Sequence, residues 1–210
     1  LQCRILGLNP KVIELDNYFV DREKTPLDED GKYDFESIYA MNLELLNKQL
    51  CSLLAGEEVE VPKFNFAEGR STFCGNKLKL GESDILIMEG IHALNPQLTA
   101  SIDDEKKFRI HASALTTLSI DENNVISTTD SRMLRRMVRD NNFRGTSAED
   151  TIMRWQSVRR GEYRNIFPYQ ENADAMFNSS LIYELPLLKH YAEPLLRRIP
   201  PTSEAYPESL

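Results

Sequence analysis

Cysteine is scarce in this 210-residue sequence. Cys3, Cys51 and Cys74 are odd in number, far apart and without C-x-x-C spacing, which excludes a disulfide framework and a zinc knot. His92, His111 and His190 have no ligand spacing either, and a reducing, cytoplasmic compartment fits. Long apolar runs are missing: a stretch such as Ile85–Met88 is far short of the ~20 residues a membrane span needs. Positive charge is in deficit, 25 basic against 33 acidic residues, for a net charge of −8. That argues against general nucleic-acid or anionic-membrane binding. Collagen, coiled coil and disorder are excluded by composition. One further absence concerns chemistry. No G-x-x-x-x-G-K-[ST] run occurs, so these residues contain no loop of that kind to cradle nucleotide phosphates.

What is present is an ordinary globular balance, 41% apolar and 28% charged, in a length suited to one α/β domain over residues 1–210. Lys11–Leu15 reads as a short strand ending at Asp16-Asn17, and Asp21–Tyr33 as an acidic loop. Phe35–Leu54 has helical apolar spacing closed by Gly56. Val59–Phe66 is extended and broken by Pro62, and Ile85–Met88 is apolar enough for a strand buried on both faces. Phe108–Leu118 and Met176–Tyr183 are further strands. Ser131–Asp140, Ala148–Arg160 and Leu187–Arg197 are helices. Strands alternating with helices imply a doubly wound, mostly parallel sheet with helices on both faces. Both ends read as cut. Leu1–Leu6 resembles the last turns of a helix stopped by Gly7, and Pro200–Glu204 resembles a helix start. The first strand and a phosphate loop are then expected ahead of Leu1.

From Arg132 to Arg164 there are nine arginines, no lysine and four acids. On a helix, Arg132, Arg135, Arg136 and Arg139 fall within roughly a 100° arc, with Met133, Leu134, Met137 and Val138 on the other side. A solvated face is the plain alternative. Like charges at this spacing oppose helix formation unless an anion compensates them, and arginine's fork suits phosphate or carboxylate. Arg144-Gly145 supplies a hinge, and Thr146 with Glu149 a capping box for the next helix. Residues 131–165 thus read as an arginine-rich lid.

Ligands of open α/β sheets bind outside the carboxyl ends of the strands. Asp16 and Glu89 each follow a strand directly. Two acids there suit Mg²⁺ and a phosphorylated ligand, with a carboxylate accepting a proton. The plain alternatives are a turn residue for Asp16 and a helix N-terminal charge for Glu89.

In order, LDNYF (15–19), KYDFES (32–37), VPKFNFAEGR (61–70), ILIMEGIHAL (85–94), RMLRRMVRDNNFRG (132–145) and PYQENADAMF (168–177) resemble the uridine kinase/phosphoribulokinase family of P-loop kinases. The likeness covers essentially the whole chain. It is closest to the kinase domain of long bacterial nucleoside-kinase proteins with threonyl-tRNA-synthetase-like N-terminal regions. It implies Asp16 as general base for a nucleoside 5′-hydroxyl, Asp34 as holder of ribose hydroxyls, and Glu89, with Asp16, near Mg²⁺. It also implies Phe64 and Phe66 along the base pocket, Arg136 against substrate, and Arg139 and Arg144, joined by Arg132 of the cluster, against phosphates. Two positions depart from the pattern: Gly69 stands where uridine kinases usually carry histidine, and Thr146 where they carry a second lid arginine.

The expected function is transfer of a phosphoryl group from ATP (or GTP), with Mg²⁺, to the 5′-hydroxyl of a nucleoside, uridine first. The expected partners are nucleoside and nucleotide small molecules, with homo-oligomerisation left open. Two alternatives stay open: a kinase of the same fold acting on a sugar phosphate or pantothenate-like alcohol, and a non-catalytic nucleotide-binding module. Without a phosphate loop, the 210 residues alone are expected to be inactive.

Overall fold

The expected strand at Lys11–Leu15 is observed as β1 (Asn9–Glu14), two residues earlier at its start, and Leu15 opens a 3₁₀ turn at Leu15–Tyr18. The computed structural model describes residues 5–115, 119, 121–122 and 126–210. The chain divides into two units, Leu1–Arg109 with Gly161–Asp174, and Ile110–Arg160 with Ala175–Leu210.

In the first unit β1 is followed by helix α1 (Leu43–Leu54) and strands β2 (Val59–Glu60), β3 (Lys63–Asn65), β4 (Arg70–Thr72), β5 (Lys77–Leu78) and β6 (Asp84–Glu89). β1 and β6 pair in parallel, from Asn9 opposite Asp84 to Glu14 opposite Glu89. β2 with β5 and β3 with β4 make small antiparallel pairs. Pro62, which has no N–H to donate, separates β2 from β3 as the sequence implied. Leu46, Gln49, Leu50 and Leu53 are the buried stripe of α1, the i, i+3, i+4, i+7 spacing of a core-facing helix. They pack with Ile13, Leu15, Tyr18, Ile38, Met41, Val61 and Leu98. One polar relay crosses this core: the Tyr18 hydroxyl donates to Gln49 Oε1 at 2.6 Å, and Gln49 Nε2 to the Glu60 carbonyl at 2.8 Å. Burial pushes the Tyr18 phenol up to about 12, because the charged form is the one desolvation penalises.

Two expectations are corrected here. The helix predicted from Phe35 begins only at Leu43. Ser37 caps a separate 3₁₀ turn (Ile38–Ala40), and Asn42 caps α1 by accepting from the Leu45 N–H at 3.0 Å. Asn and Ser divert the backbone this way because their side chains satisfy the first free N–H groups of a new turn. Ile85–Met88 is a strand, but it is not buried on both faces: Ile85 is 40% and Ile87 38% exposed, beside Val12 at 56%. Among the described residues the β1–β6 ladder has two strands. One face meets the core and the other stays open, so burial alternates.

The second unit holds β7 (Ile110–Ser113), α2 (Thr128–Phe143), α3 (Ala148–Asn165, whose last turn from Gly161 belongs to the first unit), β8 (Ala175–Asn178) and α4 (Glu184–Leu196). β7 and β8 pair in parallel. Met137 is fully buried with Ala148, Ile152, Leu195, Ile199 and Ala205. The cap of α3 is Ser147, one residue later than expected: its Oγ accepts from the Asp150 N–H at 3.0 Å and donates to the Asp150 carboxylate at 2.7 Å. The last strand is four residues long rather than eight, because Leu181–Tyr183 turn into α4. Pro200–Glu204 form turns instead of starting a helix. Thr116–Leu118 of the expected 108–118 strand lie outside the described residues. The fold is α/β with parallel ladders, and no described helix is long and apolar enough to cross a membrane.

Candidate active site

The in-register β1–β6 ladder sets two carboxylates, Glu14 and Glu89, opposite each other at its carboxyl end. The following 3₁₀ turn is pinned by buried Leu15 and Tyr18, and this fixes the half-buried Asp16 between them in sequence. Gly90 makes the approach of the two chains feasible. A Cβ there would lie 2.7 Å from the Leu15 Cβ, closer than side chains tolerate. The crowding has an electrostatic signature: burial first, then the charges of Asp16 and Glu14, raise the Glu89 carboxyl above its ordinary value. Both causes penalise the ionised form. Among the described residues no group of three or more His, Cys, Asp or Glu side chains is arranged as a metal cage. Mg²⁺ is ordinarily held by one or two carboxylates together with substrate phosphates, and an edge where carboxylates repel one another fits that donor set.

Asn17 links this edge to the aromatic strand. Its Nδ2 donates to Glu14 Oε2 at 3.2 Å and its Oδ1 accepts from the Phe64 N–H at 3.1 Å. Phe64 stands between Phe19 and Phe66, with ring centroids 5.8 and 5.2 Å away in edge-on geometry, so the two predicted pocket aromatics are neighbours in a row of three. Asp34 is half-buried, and its Oδ1 receives the Glu36 N–H at 3.2 Å in an Asx turn. It thus opens no long helix, as it was expected to do. Gly161 packs against this segment: a Cβ there would meet the Glu36 Cβ at 2.5 Å and Asp34 Oδ1 at 3.7 Å. His92, three residues past Glu89, is 1% exposed, and neither ring nitrogen completes a hydrogen bond. Burial pushes its pKa down to about 4, while the Ser37 main chain and the charge of Asp16 pull the other way.

In the second unit, the expected arginine face of α2 is present but its charge is largely answered from within. Asp140, buried on the same helix, draws Arg139 Nε to 2.7 Å, Arg136 Nε to 3.4 Å and Arg144 Nε to 3.7 Å. Arg135 pairs with Glu184 of α4 at 2.6 Å. The compensating anion that the spacing demanded is, in this state, a carboxylate of the chain itself. Arg132 lies one helical turn before Arg136, and Gly145 takes a left-handed φ of +66° at the expected hinge.

Sequence reasoning missed Asn17, His92 and Arg22. Arg22 lies against Gly69. Asn17 had a signal in its position directly after Asp16, but the other two depend on burial and on a close approach that no spacing reveals.

The phosphoribulokinase/uridine kinase family model matches residues 13–183. The uridine kinase of Halobacterium salinarum is 26% identical over 170 residues, covering 80% of this chain and 68% of that protein. The uridine kinase of Streptococcus gordonii is 27% identical over 166 residues, 79% of this chain and 70% of that one. A crystal structure from Silicibacter sp. TM1040, described as a fructose transport system kinase, superposes with a TM-score of 0.52 at 15% identity, over 83% of this chain and 77% of that one, a likeness of fold. With its α/β ladders and with that pattern running from Ile13 to Tyr183, the chain belongs to the phosphoribulokinase/uridine kinase family of kinases.

Proposed function

We propose that this kinase transfers the terminal phosphoryl group of ATP (or GTP) to the 5′-hydroxyl of a nucleoside, uridine in the first place. The observation that carries the reading is the acid edge, where Asp16 and Glu89 stand at the carboxyl end of adjacent parallel strands, the place where α/β sheets bind ligands. Asp16 takes the hydroxyl proton as the oxygen attacks, and positioned groups of this kind contribute about 10²–10⁴-fold. Glu89, with Asp16, is the proposed holder of Mg²⁺, which when bound offsets charge on the transferred phosphoryl group. Asp34 accepts from the ribose hydroxyls, and Phe64 and Phe66 offer ring edges and faces to the base. Arg136 is assigned to substrate, and Arg132, Arg139 and Arg144 to phosphate, where a bidentate guanidinium outperforms an ammonium. Arg136, Arg139 and Arg144 exchange Asp140 for a ligand anion.

The test is phosphoryl transfer from labelled ATP to uridine by the protein and by Asp16→Asn. The variant should keep the circular dichroism spectrum and lose at least about a hundredfold in kcat. A near-normal kcat would return Asp16 to the role of a turn residue. Transfer to a sugar phosphate or pantothenate-like alcohol with none to uridine would move the acceptor, and tight nucleotide binding with no transfer at all would favour a binding module.

A further inference from the structure

Position 69 is a buried glycine with φ +68°, and the space beside it is already taken. A Cβ there would lie 2.8 Å from Arg22 Nε and 2.9 Å from Arg22 Cζ and Cβ, so the guanidinium rests directly over the glycine. Two bonds hold it in place: the Arg22 N–H donates to the Gly69 carbonyl at 2.8 Å, and Arg22 Nη2 donates to the Phe66 carbonyl at 2.8 Å. The loop beneath is fixed as well. Asn65 Oδ1 accepts from the Ala67 and Glu68 N–H groups, and the Gly69 N–H donates to the Asn65 carbonyl at 2.7 Å. Arg22 is therefore anchored beside the Phe19–Phe64–Phe66 row while remaining exposed.

Its charge is not used up locally. The acids on either side of it turn to other cations, Asp21 to Lys24 at 3.0 Å and Glu23 to Arg70 at 3.5 Å. Among the described residues Arg22 makes no ion pair. A guanidinium carries five N–H donors and no acceptor; one of the five is committed to Phe66.

We infer that Arg22 is a specificity-determining residue of the nucleoside site, its guanidinium filling the volume that a side chain at position 69 would take and donating to a carbonyl oxygen on the edge of the base. The inference rests on the nucleoside reading above and narrows its substrate class to bases with an oxo group at that edge. Uracil presents an acceptor oxygen where cytosine presents an amino donor. A donor-only side chain gains a bond with the first and faces an unpaired donor with the second.

The experiment measures equilibrium binding of labelled uridine and cytidine to the protein and to Arg22→Met and Arg22→Lys. A hydrogen bond to a charged group supports a preference of about tenfold or more. Uridine should bind the unsubstituted protein at least about tenfold more tightly than cytidine, and Arg22→Met should remove most of that ratio by weakening uridine alone. Arg22→Lys keeps the charge and loses the fork, and should retain part of the ratio. It also carries the test if Arg22→Met fails to fold. Equal loss of both nucleosides, or an unchanged ratio in the folded variants, would overturn the role given to Arg22 while leaving the nucleoside reading intact. Binding of neither nucleoside to the unsubstituted protein would remove that reading and the inference with it.

Discussion

Acidification should destabilise the first unit through a single ring. His92 is 1% exposed and its pKa is pushed from 6.5 down to about 4, chiefly by burial. Between those values the unfolded chain carries a proton on this imidazole and the folded chain does not. Stability is therefore full above the unfolded value and falls as the pH drops from 6.5 toward 4, because the unfolded state binds the extra proton. At pH 5 the unfolded ring is almost wholly protonated and the buried ring almost wholly neutral. Linkage then removes about 2 kcal/mol between pH 7 and pH 5, a sizeable part of a typical domain's stability. The assay is urea denaturation followed by circular dichroism at pH 7, 6 and 5, on the protein and on His92→Leu. Leucine has no proton to gain, so it removes the pH-dependent part of the loss whatever its effect at pH 7. His92→Leu should lose about 2 kcal/mol less than the unsubstituted protein over the interval, so the difference between the two moves steadily in the variant's favour as the pH falls. Parallel losses in both would refute the argument and place the acid sensitivity elsewhere.

Asp34→Asn preserves an oxygen for the Glu36 N–H, so the turn should survive while one ribose acceptor is lost. Uridine should then lose about 1.5–3 kcal/mol of transition-state binding and deoxyuridine less, measured as kcat/KM; equal losses on both would remove Asp34 from the sugar. Gly161→Ala gains about 1 kcal/mol of helix propensity but drives a Cβ to 2.5 Å from the Glu36 Cβ. Overpacking of about 1–3 kcal/mol should win, lowering the urea midpoint, and a raised midpoint would show that the segment yields.

The strand-end acids were legible because the signal is local: an apolar run that stops at Asp16 or Glu89 needs no partner to be read. The β1 and β6 runs were legible for the same reason. How many neighbours β6 has is a tertiary matter, so Ile85 and Ile87 were expected inside and lie partly outside. Helix starts failed by competition among near-equal caps. Ser37 and Asn42 share the segment read as one helix, and Ser147 took the role given to Thr146. The arginine stripe was legible as a charge problem, but Asp140, in the midst of it, was not recognised as its answer. Its burial and its reach to Arg136, Arg139 and Arg144 follow from the packing of α2. Arg22 lay beyond reach altogether, since only the backbone course around Gly69 brings it near the aromatic row.

The end of the β1–β6 ladder is a place where folding and chemistry pull in opposite directions. Glu89 is easier to protonate in the folded chain than in the unfolded one, so at neutral pH its charge works against the fold. A neutral side chain there would make a quieter protein and, on the proposed function, a poorer site. The resting molecule carries this tension permanently, and a cation or a donated proton at the carboxylates is what relieves it. A cation bound at this edge, as the proposed function requires, would therefore be coupled to global stability, and a heat-resistant variant selected without regard to turnover would be expected to discard Glu89 early.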